Sequence, residues 1–372
     1  MHEHGEPPAP LLPDYGGACL DSVVPALLAR HDNPSPLLPE PVVGADQVVL
    51  LVLDGLGWEQ LQERAGLAPT LTAMEGGAIT TVAPSTTSSA LTSLTTGAPP
   101  AAHGVVGYRI LAPTGEVLNV LRWTTQNGDA RATVPPESIQ ALEPFGGTKP
   151  GVVTKAEFWD SGFTRAHLAG TDLHGWRYPS TLVVHVTTLI AEGQSLVYAY
   201  YPGVDTVAHE LGFGAAYDAE VAAADRLVAD LFDALPPGTA VVVVSDHGQV
   251  EVGDRVVPLD GEVGSLTALL SGEGRFRWLH ASPGVSDRLA DVARRRFDDV
   301  AWVRTREELI AEGWLGGTPT EETARRLGDV ALVPHAPLAF LDPADTGPVH
   351  LQCRHGSLTP AEMLVPLVAA RV

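Results

Sequence analysis

Three continuous runs of apolar residues limit the possible folds of this chain more than any other feature of its sequence. The runs are QVVLLVL at 47–53, SLVYAYY at 195–201 and TAVVVVS at 239–245. Runs without polar alternation are typical of strands that are buried on both faces, as in parallel sheets. A helical pattern at Tyr217–Leu235 separates the last two runs, which indicates a parallel crossover. The sequence therefore predicts an α/β fold with a mostly parallel central sheet.

Other parts of the chain look less like this sheet. Residues 1–45 are rich in proline and suggest only one short helix, near Asp21–Arg30, so we expect a surface arm followed by one large domain at 46–372. Within that domain, residues of about 106–194 are rich in Gly, Pro and Trp, and residues of about 251–330 carry most of the arginines. We interpret both segments as insertions that shape or cap a site.

Charge and hydropathy exclude several classes of partner. The 372 residues carry a formal net charge of −22 with only 23 Lys and Arg residues, and no clustered basic face predicts binding to a nucleic-acid polymer. The longest apolar runs are too short to span a bilayer, so we expect no membrane partner. The first residues, MHEHGEPPAPLLPDYGG, do not resemble a secretory signal, and we therefore expect a cytoplasmic protein. The sequence indicates no oligomeric state.

Acidic and imidazole side chains follow all three apolar runs. Asp54 follows the first run, Asp205 and His209 follow the second, and Asp246 and His247 follow the third. An Asp-Gly pair after a strand is usually only a turn. In open parallel sheets, however, ligands gather at the carboxyl ends of strands, and the joint occurrence at three strand ends favours a site. Asp205 and His209 are one helical turn apart and can face one ion.

A serine- and threonine-rich segment, PSTTSSALTSLTTG at 84–97, predicts a helix with a hydroxyl group at its start. Ser85 or Thr86 can cap a helix of Thr87–Thr96, and Gly97 can end it. A buried helix with small polar residues would give the same pattern. In a functional interpretation, one of these hydroxyl groups is a nucleophile, which needs a base or a metal for activation. A metal held by Asp54 and its partners after the third run would provide this activation.

A His-Gly pair lies near the end of the chain, in RHGSLTPAEMLVPL from Arg354. A lone pair of this kind in a loop is usually structural. Here, however, a metal site built on Asp205 and His209 lacks a third protein ligand, and His355 can supply it.

Together these segments resemble the alkaline phosphatase superfamily, and in particular its type I phosphodiesterase/nucleotide pyrophosphatase branch. The resemblance covers most of the chain in order, from Val48 to Leu367. It is carried by VLDGLG, PSTTSSALTSLTTG with AAHGVVGY, YYPGVDTVAHELG, VVVSDHG and RHGSLTPAEMLVPL. It implies an alkaline-phosphatase-like three-layer sandwich with inserted cap segments.

The resemblance also implies a site with two divalent metal ions. The first ligand set corresponds to Asp205, His209 and His355. The second corresponds to Asp54, Asp246 and His247, and the oxygen of the nucleophile, Thr87, completes it. We place the nucleophile at Thr87 by counting ten positions back from Gly97; Thr86 and Ser85 are the neighbouring candidates. Nitrogen and oxygen donors favour zinc, while manganese and iron also fit.

The expected function is that of a metal-dependent phosphoric ester hydrolase, namely a phosphodiesterase/nucleotide pyrophosphatase with a phospho-threonine intermediate. Its partner would be a small phosphate ester or a nucleotide. The nucleotide pyrophosphatases have an Asn five residues after the histidine that corresponds to His103, where this chain has Tyr108 followed by Arg109. We name both as candidate substrate-binding residues, because an Arg can bind a terminal phosphate. The alternatives are a phosphomonoesterase or phosphonate hydrolase of the same superfamily, and a non-catalytic metal-bound binding protein.

Overall fold

The computed structural model describes residues 8–345 and 351–372. The strands in these residues are β1 (Val48–Leu53), β2 (Glu75–Thr80), β3 (Arg109–Leu111), β4 (Val117–Asn119), β5 (Thr124–Thr125), β6 (Gly128–Asp129), β7 (Gly151–Lys155), β8 (Asp172–Trp176), β9 (Leu196–Tyr201), β10 (Ala240–Val244), β11 (Val250–Glu251), β12 (Val256–Pro258), β13 (Thr267–Glu273), β14 (Phe276–Ala281), β15 (Ala301–Thr305), β16 (Val330–Pro334), β17 (Ala339–Leu341), β18 (Cys353–Arg354) and β19 (Leu364–Arg371).

The α-helices in the same residues are α1 (Val23–Leu28), α2 (Trp58–Glu63), α3 (Pro69–Ala73), α4 (Thr87–Thr96), α5 (Pro100–His103), α6 (Pro136–Ile139), α7 (Gly162–His167), α8 (Pro179–Ala191), α9 (Gly203–Leu211), α10 (Ala215–Ala234), α11 (Gly261–Leu266), α12 (Ser286–Phe297), α13 (Arg306–Ala311), α14 (Glu321–Arg326) and α15 (Pro360–Met363). None of the described helices is long and apolar enough to cross a membrane.

The central sheet has seven strands in the order β2-β19-β10-β1-β9-β7-β8. Strands β10, β1, β9, β7 and β8 are parallel to one another, and β19 runs antiparallel to β10 and β2. The three apolar runs form β1, β9 and β10, which lie side by side in the middle of the sheet. The prediction of a mostly parallel α/β sheet is confirmed.

Strand β1 shows why its sequence is apolar throughout. Val48, Leu50 and Val52 belong to one hydrophobic cluster. Val49, Leu51 and Leu53, which point to the other face of the sheet, belong to a second cluster. The first cluster includes residues of α1, α4 and α7, and the second includes residues of α2, α3, α8, α9 and α10. Helices therefore cover both faces of the sheet, as the prediction of a three-layer sandwich requires.

The segment 1–45, expected to form a surface arm, contributes side chains to the core, although residues 31–34 within it are exposed. Leu20, Val24, Leu27 and Val42 are buried in the cluster on the α4 face of the sheet. Arg30 is buried as well, and its guanidinium group donates to the backbone carbonyl of Ala45, among others. The frequent prolines obscure the apolar spacing of this segment, although its side chains complete the core. Residues 1–7 lie outside the described residues.

The predicted insertion at about 106–194 is too long. Its first part forms a small sheet of β3, β4, β5 and β6, but β7 and β8 are strands of the central sheet and α8 packs between them and α10. Strand β8 is a partly exposed edge strand with polar residues, so its sequence lacks the buried pattern. In the second insertion, β13, β14, β16 and β15 form another small sheet, which contacts the first through β3.

Candidate active site

Three adjacent strands bring the predicted acidic residues to one edge of the central sheet. Asp54 directly follows β1, Asp246 and His247 come two and three residues after β10, and Asp205 lies in the first turn of α9 after β9. Since these strands are parallel and neighbouring, their carboxyl ends lie at the same edge. The strand order thus accounts for the convergence of side chains far apart in the sequence.

The first group of side chains consists of Asp54, Asp246 and His247, all of which are buried. His247 Nε2 lies 3.6 Å from Asp54 Oδ1 and 3.5 Å from Asp246 Oδ2. These two carboxylate oxygens are buried and have no hydrogen-bond partner in the described part of the chain. A buried carboxylate oxygen without a partner is costly, so both atoms have the chemistry expected of ligands to a cation.

The second group consists of Asp205, His209 and His355. Asp205 Oδ1 lies 3.2 Å from His209 Nε2 and 3.9 Å from His355 Nε2. One donor atom from each of the three lies within 4.8 Å of the other two, and the same limit holds for Asp54, Asp205 and His247. Asp205 therefore lies between the two groups.

The three histidines are oriented alike. Nδ1 of His209 lies 2.7 Å from the carbonyl oxygen of Cys353, Nδ1 of His247 lies 3.0 Å from that of Gly248, and Nδ1 of His355 lies 2.9 Å from that of Ser85. A carbonyl oxygen only accepts, so each Nδ1 carries the proton. Each Nε2 then directs a lone pair into the site, which is the usual arrangement of metal-binding histidines.

The electrostatics of this edge also favour cations. Burial, and next the negative charges of Asp246 and Asp205, raise the pKa of Asp54 well above its ordinary value. Burial, and next the imidazoles of His247 and His209, hold the pKa of His355 well below its ordinary value. Deprotonated carboxylates and neutral imidazoles are the forms that bind metals. A divalent ion would offset the mutual repulsion of the carboxylates.

The ligand separations fit such ions. Donors about 2.0–2.2 Å from a tetrahedral ion lie about 3.4 Å apart, and the donor separations of 3.2–3.9 Å in the two groups match this spacing. The residues present are therefore chemically suited to hold divalent cations.

The predicted helix is observed with the expected limits, and Thr87 is its first residue. Thr87 Oγ1 lies 3.0 Å from His247 Nε2, next to the first group. Ser85 is directed elsewhere, because its hydroxyl group donates to the carbonyl oxygen of Ser357 over 2.6 Å. Thr86 precedes the helix without a side-chain capping bond, and Gly97 ends it in the left-handed conformation, with φ of 66°. Of the three candidate hydroxyl groups, only that of Thr87 makes a hydrogen bond to one of the clustered side chains.

Two cavities, each of about 220 Å³, meet at Thr87. We call the first the aromatic cavity; its lining includes Asp54, Phe158, Phe163, Tyr198 and Tyr200. We call the second the polar cavity; its lining includes Tyr108, Glu273, His209, Arg354 and His355. Thr87, Leu121 and Asp205 line both cavities, so the two cavities adjoin at these residues.

The two candidate substrate-binding residues are placed differently. Tyr108 lines the polar cavity, and its hydroxyl group accepts a hydrogen bond of 2.6 Å from Asn119. Arg109 lines neither cavity beside Thr87; its guanidinium group is buried and pairs with Asp342. The prediction that Arg109 binds a terminal phosphate is therefore not supported by its position. Neighbouring residues at the start of a strand point to opposite sides, so only one of them faces the site.

Sequence reasoning missed several residues that contact or line the site, among them Tyr200, Gln249 and Glu273. The Tyr200 hydroxyl group donates to Asp54 Oδ2, and the Gln249 amide donates to Asp205 Oδ1 over 2.7 Å. Glu273, in the second small sheet, lines the polar cavity. A signal existed for Tyr200, since a tyrosine in a buried strand needs a partner for its hydroxyl group. Nothing in the sequence links Glu273 to the site.

The sequence profile of the family described as type I phosphodiesterase/nucleotide pyrophosphatase matches residues 48–358. This chain belongs to that family. The matched range includes all seven predicted metal-site residues, from Asp54 to His355. Family membership confirms the resemblance seen in the sequence and the expectation of a hydrolase that acts on phosphoric ester bonds. No curated protein sequence matches the chain significantly.

Several solved structures share the fold of this family member. Murine ectonucleotide pyrophosphatase/phosphodiesterase 5, in an inactive form in complex with AMP, is 14% identical, with a TM-score of 0.65 over 87% of this chain and 88% of that chain. Phosphonoacetate hydrolase from Sinorhizobium meliloti 1021, in complex with phosphonoformate, is 19% identical, with a TM-score of 0.61 over 88% and 90%. At such identities the similarity establishes the fold.

Proposed function

We propose that this protein is a metal-dependent phosphodiesterase that forms a covalent intermediate on Thr87. The observation that carries the proposal is that Thr87 lies between two separate cavities of about 220 Å³ each. A phosphodiester has two substituents on phosphorus, and the two cavities match that number. A phosphomonoester or a small phosphonate would leave one cavity without a substrate group.

The aromatic cavity suits a neutral aryl group or nucleobase. Among the described residues, no Lys or Arg lines it, and its one histidine, His167, has a pKa lowered to about 4 by burial. A cavity of about 150 Å³ already accommodates benzene. A carboxylate on the substrate would find no cationic partner here, which disfavours small carboxylated phosphonates as occupants of this cavity.

The donor sets described above support two bound divalent ions, and their mixture of nitrogen and oxygen atoms favours zinc. When bound, the ions would lower the pKa of the attacking hydroxyl group and stabilise the departing oxygen. Asp54, Asp246 and His247 would hold one ion; Asp205, His209 and His355 would hold the other. Tyr200 and Gln249 orient Asp54 and Asp205 through their hydrogen bonds.

In the proposed reaction, Thr87 Oγ1 gives up its proton and attacks phosphorus. A bond forms between Oγ1 and phosphorus while the bond from phosphorus to the leaving oxygen breaks, and the released alcohol takes up a proton. Water then hydrolyses the phosphothreonine ester and restores Thr87. Because the leaving oxygen lies opposite the nucleophile in an in-line displacement, the two substituents must occupy different sides of phosphorus, as the two cavities allow.

A substrate comparison tests this proposal. Purified protein loaded with Zn²⁺ or Mn²⁺ should hydrolyse bis(4-nitrophenyl) phosphate faster than 4-nitrophenyl phosphate, and chelation should abolish both activities. Thr87→Ala should reduce diester hydrolysis by about 10³-fold or more, in line with the loss of a nucleophile. Thr96→Ala, near the other end of the same helix, is the matched control. Near-full turnover by Thr87→Ala would refute the assignment of the nucleophile, and a preference for the monoester would refute the diester specificity.

A further inference from the structure

Ser85, one of the three hydroxyl residues considered as the nucleophile, has no part in the proposed reaction. It is fully buried and lies two residues before Thr87, the first residue of α4. The buried hydroxyl groups of Ser88 and Ser89, by contrast, have no partner in the described part of the chain. Ser85 uses both its hydroxyl group and its backbone to bind one short segment near the end of the chain. We call this segment the His355 loop (residues 355–357).

Four hydrogen bonds join Ser85 to the His355 loop. The Ser85 hydroxyl group donates to the carbonyl oxygen of Ser357 over 2.6 Å and accepts from the N–H of Gly356 over 3.2 Å. The Ser85 N–H donates to the carbonyl oxygen of Gly356 over 3.2 Å, and the Ser85 carbonyl oxygen accepts from His355 Nδ1 over 2.9 Å. Ser85 therefore binds each residue of the loop, including the side chain of the proposed metal ligand His355.

The other side of the His355 loop is fixed by the second small sheet. The N–H of Ser357 donates to the Glu362 carboxylate over 3.0 Å, and Arg275 donates to both oxygens of that carboxylate over 2.7 Å each. Glu362 and Arg275 are fully buried, and Arg275 lies in the turn between β13 and β14. The loop is thus held between this turn and Ser85, and its position relative to α4 depends on Ser85.

Ser85 also limits where the nucleophile can lie. Only Thr86 separates Ser85 from Thr87, and consecutive Cα atoms are about 3.8 Å apart, so a shift of Ser85 moves the start of α4. Thr87 Oγ1 lies 3.0 Å from His247 Nε2, and the rings of His247 and His355 are stacked with centroids 3.5 Å apart. The nucleophile and one proposed ligand from each group therefore lie side by side.

The hydroxyl group of Ser85 makes this link specific. The backbones of Ser85 and Gly356 form only an isolated antiparallel bridge, without a neighbouring ladder of strand hydrogen bonds. The hydroxyl group adds partners for the Gly356 N–H and the Ser357 carbonyl oxygen, two backbone groups next to the site. Buried backbone groups without a partner cost free energy, so the loop is expected to shift when the hydroxyl group is removed.

On the basis of the proposed function, we propose that the Ser85 hydroxyl group sets the position of the nucleophile Thr87 relative to the metal ligand His355. Ser85 lines neither cavity beside Thr87, so it is a positioning residue that acts through these two side chains. Loss of the hydroxyl group lets the His355 loop shift relative to α4. The shift misaligns Thr87 for attack and weakens the binding of an ion by Asp205, His209 and His355.

The test compares Ser85→Ala with Ser89→Ala, the matched control from the same segment. With bis(4-nitrophenyl) phosphate and saturating Zn²⁺, Ser85→Ala should lower kcat by about 10–100-fold, because a misplacement of about 1 Å can cost 10²-fold. KM should be nearly unchanged, since the residues that line the cavities are the same. Ser89→Ala should equal wild type in both constants, because its hydroxyl group has no partner in the described residues.

Metal affinity gives a second readout that does not depend on activity. In competition with a chelator, Ser85→Ala should bind the weaker of two Zn²⁺ ions about tenfold less tightly than wild type, the lower end of the usual effect of losing a partner of a metal ligand. In the His355→Ala background, adding Ser85→Ala should have almost no further effect on Zn²⁺ affinity, because the residue through which it acts is gone. A further tenfold loss there would overturn the proposed action through His355.

The outcomes separate this inference from the proposed function. If Ser85→Ala is less stable than Ser89→Ala but has the same kcat and Zn²⁺ affinity, Ser85 only supports the fold and this inference alone is overturned. If Ser85→Ala does not fold, Ser85→Thr and Ser85→Val decide, since the two side chains have the same shape and only threonine has a hydroxyl group. Ser85→Thr should then have the higher kcat, and equal values overturn the inference. Absence of phosphodiester hydrolysis by the Zn²⁺-loaded wild type would overturn the proposed function and this inference with it.

Discussion

The edge of the central sheet and the two small sheets contribute different parts of the site. Loops and a helix at the ends of β1, β9 and β10 carry five of the six proposed metal ligands. Tyr108, just before β3, and Glu273, at the end of β13, instead line the polar cavity. We infer a division of roles in which the edge of the central sheet carries the proposed metal ligands, whereas the small sheets supply part of the wall of the polar cavity. Substitutions in the two regions should therefore affect different measurable quantities.

The largest expected effect comes from the central sheet. His247→Ala should remove one of two bound metal ions per chain and lower kcat/KM for the diester by about 10³-fold or more, because a metal contributes several kcal/mol to the transition state. Tyr108→Phe, in the small-sheet region, is the control and should keep both ions. Metal analysis of the purified proteins checks the prediction. Equal metal loss in the two variants would contradict the proposed division between the regions.

A structural effect without loss of metal is expected at Arg109. Its buried ion pair with Asp342 links the first small sheet to the segment after β17, and removal of Arg109 leaves the buried Asp342 carboxylate with only its longer contact, 3.6 Å, to Arg277. Arg109→Leu should lower the free energy of unfolding by about 3 kcal/mol, the lower end of the range for breaking a buried ion pair. Denaturant unfolding measures this free energy. The double variant Arg109→Leu/Asp342→Leu should lose less stability than the two single variants lose together. An unchanged stability with a raised KM would instead indicate contact with substrate.

The pH dependence of the free energy of unfolding should show the raised pKa of Glu273. Its pKa is raised from 4.5 to about 7 in the folded protein, so its stabilising contribution is complete below pH 4.5 and is lost as the pH rises through about 7. Glu273→Gln does not titrate. Relative to wild type, the metal-free variant should gain up to about 3 kcal/mol between pH 5 and pH 8, at 1.36 kcal/mol per pKa unit. A difference that is independent of pH would contradict the raised pKa.

The smallest expected effect tests an orienting hydrogen bond within the central sheet. Tyr200→Phe removes the donor to Asp54 and should weaken metal binding by about 10–100-fold, the usual effect of losing such a partner. Tyr198→Phe is the matched control, since the hydroxyl group of Tyr198 is buried without a partner in the described residues. Competition with a chelator measures both affinities. Equal affinities would show that the Tyr200 hydroxyl group does not influence the ligand cluster.

The sequence alone predicted the site residues whose positions follow from the strand or helix next to them in the chain. Asp54 and Asp246 follow strands whose apolar runs are unmistakable, and parallel strands must end at one edge. Asp205 and His209 are one helical turn apart, so their common direction follows from helix geometry. His355 required the resemblance as well, because only the folded chain places its loop beside Asp205.

Other features depend on contacts that no local pattern reveals. Strand β8 is exposed at a sheet edge, so its sequence does not show that it extends the central sheet. The segment containing Leu20 and Val24 covers the core although its prolines suggest an irregular arm. Glu273 reaches the site only because the hairpin of β13 and β14 packs against the backbone at Gly356. These contacts join distant segments, and their positions follow from tertiary packing alone.

The most direct test of the account is a crystal structure of the zinc-loaded protein with anomalous scattering measured at the zinc edge. We expect two peaks about 4 Å apart: one among Asp54, Asp246 and His247 beside Thr87 Oγ1, and one among Asp205, His209 and His355. A single peak shared by all six side chains, or peaks away from them, would contradict the claim that this edge of the sheet holds two ions next to the nucleophile.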